Sequence, residues 1–249
     1  MHRGETAKNA LKTTAAILFW IAVWYFLYLL VHQEILLPSP VHVAKRLTEL
    51  LRTKDFYIET ALSLARILAG FFAGVAAGTL IAAATVFCKP LYSLLKPVIT
   101  VVKTTPVASF ILLALVWIKR GGVPSFISFL MVLPIIWANV SKGLAEASPE
   151  LMEVAKVFRF PVVKRIKDIY IPSAKPYFYA GCTTASGLAW KAGIAAEVIS
   201  TPDFAIGTHL YNSKIYLETT DLFAWTVVVI ILSVIIERLL KLALNRLRG

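Results

Sequence analysis

Residues Pro149–Pro172, PELMEVAKVFRFPVVKRIKDIYIP, form a charged island between long apolar runs. Read with helical period, the first half places Leu151, Val154, Ala155 and Phe158 on one face, the i, i+3, i+4, i+7 spacing of an amphipathic helix. Pro161 interrupts the pattern and suits the first turn of a second helix. In that second half Val162, Val163, Ile166, Ile169 and Tyr170 share a face, Lys164, Arg165, Lys167 and Asp168 lie elsewhere, and Pro172 is expected to end the helix. Two short helices kept in water, each with an apolar stripe, call for a protein partner that covers the stripes.

Around the island the chain is a membrane protein. Of its 249 residues 58% are hydrophobic, with a mean hydropathy of +0.74, against about 45–50% apolar residues in soluble domains. The net charge is +12. In a soluble protein that would suggest nucleic acid, but here the basic residues flank apolar spans, so membrane topology and anionic headgroups account for them. Cys88 and Cys182 lie in apolar segments and are expected to be buried small hydrophobes.

Six spans are expected. The first, Thr13–Val31, follows a basic tail with Arg3, Lys8 and Lys12; it is too long and aromatic for a removable leader and reads as an uncleaved span. A partly amphipathic connector, His32–Glu59, opens with Leu37-Pro38-Ser39-Pro40. The second span covers about Leu62 to Cys88, with Arg66 near its start. Its Gly70, Gly74 and Gly78, four apart, form a small-residue ridge on which another helix can pack closely. The third, Leu91–Ile118, contains Lys103 and Pro106 and is expected to be bent or broken. Lys119–Gly122 is a turn, the fourth span runs from Val123 to about Ser141, and the island follows. The fifth is Pro176 to about Ile199, a polar loop Ser200–Asp221 comes next, and the sixth, about Leu222–Leu240, leads to a basic tail.

An even number of spans puts both termini on one side. That side, with the island, receives sixteen Lys and Arg against seven on the other, so the positive-inside rule makes the termini and island cytoplasmic.

The chemistry written in the chain is not that of an enzyme. There is no P-loop pattern, no H-E-x-x-H, no C-x-x-C and no G-x-S-x-G. His2, His32, His42 and His209 are scattered, mostly in loops, and no metal set is read from them. Charge at membrane depth is costly and therefore a functional candidate. Lys191 and Glu197, six apart on the fifth span, are expected to face a bundle interior together. They read either as a polar lining to a translocation path, with Lys191 attracting an anion, or as structural contacts. Arg66 reads as an anchor or packing residue, with the path as the other reading.

The island resembles the EAA loop of permease subunits of ATP-binding-cassette importers: E-A-A, three residues, G, nine residues, I-x-L-P. Glu153, Val154 and Ala155 stand for the opening and Ile169, Ile171 and Pro172 for the close, at the same spacing. Val154 replaces an alanine, and Arg159 stands where the family has glycine, at a cost on the order of 1 kcal/mol if the backbone there is left-handed. Leu37–Pro40, Ser63-Leu64-x-Arg66-x-x-x-Gly70-Phe71, Ala189-Trp190-Lys191 with Ala195-Ala196-Glu197, and Ile206-Gly207 are similar to the nitrate/sulfonate/taurine-type branch. The resemblance spans roughly residues 37 to 210.

The resemblance implies an all-α, MetI-like permease of about six transmembrane helices in one domain (13–249, after a tail 1–12) in the cell membrane. The loop at about 145–175, between spans four and five, would carry the coupling helix. Expected partners are a second permease copy, two cytoplasmic ATPases and an external substrate-binding protein; this chain would carry no cofactor, ATP and magnesium being bound by the ATPase. Glu153, Val154, Ala155, Phe158, Arg159, Phe160, Pro161, Ile169, Ile171 and Pro172 would form the coupling surface. Trp190, Lys191, Glu197 and Arg66 are the candidate path residues. The cargo implied is a nitrate-, sulfonate- or taurine-like anion, or a vitamin precursor such as a thiamine pyrimidine or riboflavin. An ion-coupled secondary transporter or channel, the alternative, would need internal inverted repeats and more buried acids than Glu197.

Overall fold

The computed structural model describes the backbone of residues 2–246 and the side chains of residues 13–246. Arg3, Lys8 and Lys12, on which the basic tail was read, and Arg248 lie outside the described side chains. The described residues are helical, in eleven α-helices: α1 (His2–Val31), α2 (Pro40–Leu50), α3 (Lys54–Phe87), α4 (Lys89–Thr104), α5 (Val107–Trp117), α6 (Val123–Ala145), α7 (Pro149–Val157), α8 (Val162–Arg165), α9 (Ile171–Ser200), α10 (Ile206–Ile215) and α11 (Thr219–Arg246). A 3-10 turn covers Arg120–Gly122 and a π-turn covers Ile166–Tyr170.

Three stretches are long and apolar enough to cross a membrane, Thr13–Val31, Lys54–Phe87 and Arg120–Ala145. The α4–α5 pair makes a fourth, bent by 107° at Thr105-Pro106, where Pro106 cannot continue the ladder. This is the break expected from Lys103 and Pro106. The fifth and sixth expected spans fall on α9 and α11, which have 30 and 28 residues.

Several boundaries differ from the sequence reading. α3 begins at Lys54, before the expected Leu62, and α1 starts inside the stretch read as a tail. The loop Ser200–Asp221 contains α10, and His209 lies in it rather than in a loop; the polar composition of this short helix hid it. Cys88 is exposed, because it sits at the junction of α3 and α4 where the apolar run ends, while Cys182 is buried as expected. Pro172 does not end a helix. The π-turn before it, in which the Ile171 N–H reaches the Ile166 carbonyl, absorbs the missing donor and ring of Pro172, and α9 continues through Pro176 to Ser200.

The chain divides into two compact units. The first comprises Met1–Ile58 and His209–Val229. In it Ser39 caps α2 by accepting from the His42 N–H (3.1 Å), with Pro40 in the first turn. Trp24 donates to the Pro38 carbonyl (3.1 Å) and stacks on Phe223. Trp225 is buried between Phe56 and His209. Arg46 meets Asp221 at 2.6 Å, and Ser213 donates to the other Asp221 oxygen at 2.9 Å.

The second unit, Glu59–Thr208 with Ile230–Gly249, has its core where α3, α6 and α9 meet. The glycine ridge of α3 lies on α6 as the sequence predicts. A Cβ at Gly70 would stand 2.1 Å from the Ser125 carbonyl oxygen, at Gly74 2.7 Å from Val132 Cβ, and at Gly78 2.9 Å from Ile136 Cβ. α9 closes the other side: a Cβ on Gly143 would meet Ala174 Cα at 2.8 Å, and one on Gly193 would meet Ile67 of α3 at 2.6 Å and Ser128 of α6 at 2.8 Å. Ile111 and Ala114 of α5 join Val123, Ile127, Met131, Ala192 and Ala196 in one buried cluster. Gly74→Leu is expected to cost at least about 2 kcal/mol through overpacking, read as loss of monodisperse protein on heating in detergent. Leu80→Ala, on the exposed face of α3, should change little; equal stability of the two variants would contradict the contact.

Candidate functional site

The island begins where Ser148 accepts from the Leu151 N–H (3.2 Å) and Pro149 sets the first turn, so α7 has a built start. Its end is a Schellman turn. The Phe160 N–H reaches the Ala155 carbonyl at 2.8 Å and the Arg159 N–H the Lys156 carbonyl at 3.1 Å. Arg159 accordingly adopts φ 50°, the left-handed conformation for which glycine is the usual choice. The turn forms with arginine there, at the expected cost of about 1 kcal/mol. Beyond Pro161, Lys164 lies 4.0 Å over the Phe160 ring and Arg165 Nε donates to the Phe160 carbonyl at 3.2 Å, which fixes α8 against the end of α7.

The apolar stripes of the island face away from the chain. Of the face read from the sequence, Ala155 is buried, while Leu151, Val154 and Phe158 are exposed, Phe158 to 70%. Val157 is 78% and Val163 75% exposed, and Val162 stands beside them. Glu153, Arg159 and Pro161 are exposed and Phe160 is half-buried. At the closing motif Ile169 is buried, whereas Ile171 and Pro172 are exposed.

The four path candidates are not brought together as a lining. Arg66 and Glu197 do meet. Glu197 has no exposed surface and stands 3.7 Å from Arg66 Nη1 through Oε1. Its Oε2 accepts from Ser63 Oγ at 2.9 Å and from the Gly207 N–H at 3.1 Å. Ser63 in turn accepts from the Ile206 N–H at 3.0 Å. Arg66 donates to the carbonyls of Asp203 (2.9 Å) and Phe204 (3.2 Å). A buried carboxylate is tolerated when it is paired and hydrogen-bonded in this way. The knot ties the turn after α9, with Thr201 at φ 42° and Phe204 at φ 51°, to α3 and α9. Gly207 permits the approach, since a Cβ there would stand 2.3 Å from Glu197 Cβ.

Lys191 corrects the expectation of a shared inward face. It is exposed while Glu197 is buried, because six residues at 3.6 per turn place them about 120° apart. Trp190 is buried in an apolar crevice with Ile67, Phe71 and Leu240. The role of Ser63 and of the Asp203 and Phe204 carbonyls was not read from the sequence; the serine stood in a quoted motif, but carbonyls leave no sequence signal.

With this geometry in view, residues 70–249 match the family model of the binding-protein-dependent transport system inner membrane component. The chain belongs to that family. Among curated proteins it is 26% identical to the nitrate import permease protein of Synechococcus elongatus, over 78% of this chain and 73% of the relative. It is 23% identical to a putative aliphatic sulfonates transport permease protein of Bacillus subtilis, over 91% of this chain and 83% of the relative. A bicarbonate transport system permease protein of Synechococcus elongatus is 25% identical over 64% of this chain and 58% of the relative. The chain is therefore a membrane-embedded transport subunit, of a family whose members are permeases rather than enzymes.

The left-handed Arg159 gives a direct test of the turn. Arg159→Gly is expected to relieve about 1 kcal/mol and to slow local exchange of the Phe160 amide about fivefold. Unchanged exchange would mean that the turn carries no strain.

Proposed function

We propose that this chain is the permease subunit of an ATP-driven importer and passes a small solute delivered by an external binding protein across the membrane. The observation that carries the reading is the island: a capped helix, a Schellman turn at the family's glycine position, and apolar side chains held outward at Leu151, Val154, Val157 and Phe158. A cytosolic ATPase that covers these knobs would bury apolar surface worth about 25 cal/mol per Å², and Glu153 beside them would meet a basic residue. The chain has no nucleotide-binding loop of its own, so the energy of transport is assigned to two ATPase partners, which would bind ATP and magnesium. Closure of the ATPase pair would pull both coupling helices and switch the permease between inward- and outward-facing states.

In this reading the pore is formed by two copies of the chain, each crossing the membrane six times, with α1, α3, α5, α6, α9 and α11 as the crossing helices and both ends cytoplasmic. The relatives are named for nitrate, aliphatic sulfonates and bicarbonate, which supports a small anion as cargo, with the binding protein supplying most of the selectivity. The Glu197 knot supports the structural reading of Arg66 and Glu197 over an ion-coupled mechanism. Its carboxylate is closed off by Ser63, Gly207 and Arg66.

Glu153→Lys reverses the charge offered to the ATPase. Assayed as binding-protein-dependent uptake in vesicles holding the full complex, it is expected to abolish transport while the chain stays in the membrane at normal level. Uptake at the unaltered rate would remove Glu153 from the coupling surface.

A further inference from the structure

Helix α4 does not behave as half of an ordinary crossing. Its exposed apolar residues Leu94, Val98 and Val101 fall within about 60° of one another, and Lys89, Lys96 and Lys103, each seven apart, fall within about 40° on the opposite side. The lysines are exposed, and the buried residue Ile99 lies on the flank between the two faces. Three lysines turned toward hydrocarbon would be prohibitively costly.

The packing and the bend at Pro106 together place this helix. Tyr92, near its start, stacks on Trp137 of α6 with rings 5.7 Å apart, and Lys103, near its end, reaches the same ring at 5.9 Å. Sixteen residues make a helix about 24 Å long. Tyr92 and Lys103 bracket this one side chain, which seats the middle of α4 on α6 at Trp137, and the 107° bend turns α4 away from the direction of α5. Thr85, close to the end of α3, accepts from the same Trp137 at 3.0 Å, so α4 stays at the level where α3 ends. α5, bent 107° away, is the part that packs beside α6. Trp137 lies about 21 Å along α6 from Val123, a height that α5 and the extended Thr105-Pro106 break together match. From Trp137, α6 continues to the island side of the membrane.

We infer that α4 is an in-plane helix at the island-side interface of the membrane, seated on anionic lipid. Leu94, Val98 and Val101 dip into the acyl chains, Lys89 and Lys96 meet lipid phosphates, and Lys103, exposed beside the Trp137 ring, adds its charge to the same face. Opposed apolar and lysine faces are the pattern of interfacial helices, and the three positive charges are the complement of an anionic headgroup layer. The helix thus holds the mouth of the break at Pro106 at a fixed depth.

The test uses the full chain with Cys88→Ser and Cys182→Ala, reconstituted in vesicles of equal phosphatidylcholine and phosphatidylglycerol. Spin labels are placed at Leu94→Cys, Val98→Cys and Val101→Cys, and depth is read from oxygen against a water-soluble nickel chelate. One common, oxygen-accessible depth is expected for all three labels, and a label at Thr100→Cys should be open to nickel. A difference of about 10 Å between Leu94 and Val101 would show a crossing helix and overturn the inference. Labels shielded from oxygen, as under a second copy of the chain, would overturn it too, as would a Thr100 label protected by nitrate. Replacing all phosphatidylglycerol by phosphatidylcholine should loosen the Val98 label, and Lys89→Gln, Lys96→Gln and Lys103→Gln together should remove that sensitivity. A Val98 signal identical in both lipids would refute the anionic contact.

Discussion

Helix α6 is held between α3 and α9 by backbones that approach within reach of each other's carbonyls and Cβ atoms, at Gly70, Gly74 and Gly78 on one side and at Gly143 and Gly193 on the other. In lipid no hydrophobic drive pulls apolar helices together, so association depends on such close van der Waals contact. The remaining features of this unit follow from it. With α3 and α9 fixed on α6, Ser63 and Arg66 of α3 face Glu197 of α9, and the turn after α9 has a buried carboxylate to close upon.

Among the described residues no glycine adopts a positive φ; the left-handed positions are His32, Arg159, Thr201, Phe204 and Leu217. Gly70, Gly74, Gly78, Gly143 and Gly193 serve helix approach, and the left-handed positions are held by residues that bear strain. At Arg159 the strain sits at the exposed end of α7, and at Thr201 and Phe204 beside the Glu197 knot. In both places hydrogen bonds over-determine the conformation, which is the condition under which strained residues persist. The π-turn at Ile166–Tyr170 acts similarly, letting the island flow through two prolines into α9. From α8 the helical path runs unbroken through the π-turn into the three-helix core, and α7, with its exposed apolar knobs, is joined to α8 by the Schellman turn and by the contacts of Lys164 and Arg165 with Phe160.

Much of this was legible in the sequence because it is written in local periodicity. The glycines of α3, the break at Pro106, the helix of the island and its outward apolar stripe all follow from spacing. The EAA-like spacing pointed to the family that the comparison establishes. What was not legible depends on angles and on partners outside the local window. Lys191 and Glu197 were read as sharing a face, though six residues of helix separate them by a third of a turn. Pro172 reads as a terminator because a wider π-turn leaves no mark in a pattern of residue types. The knot could not be assembled from sequence, since the Asp203 and Phe204 carbonyls that cap Arg66 belong to no motif, and α10 was too polar to stand out from its loop.

The most direct measurement is site-specific photo-crosslinking from Val157, the most exposed apolar residue of the island helix. The chain would be expressed together with the ATPase and binding protein that the proposed function assigns to it. An adduct with the ATPase, its yield changing when ATP is added, is the predicted result. An unreacted Val157 in a chain that still moves solute into vesicles lacking any ATPase would contradict the assignment and return Lys191 and Glu197 to consideration as ion-coupling residues.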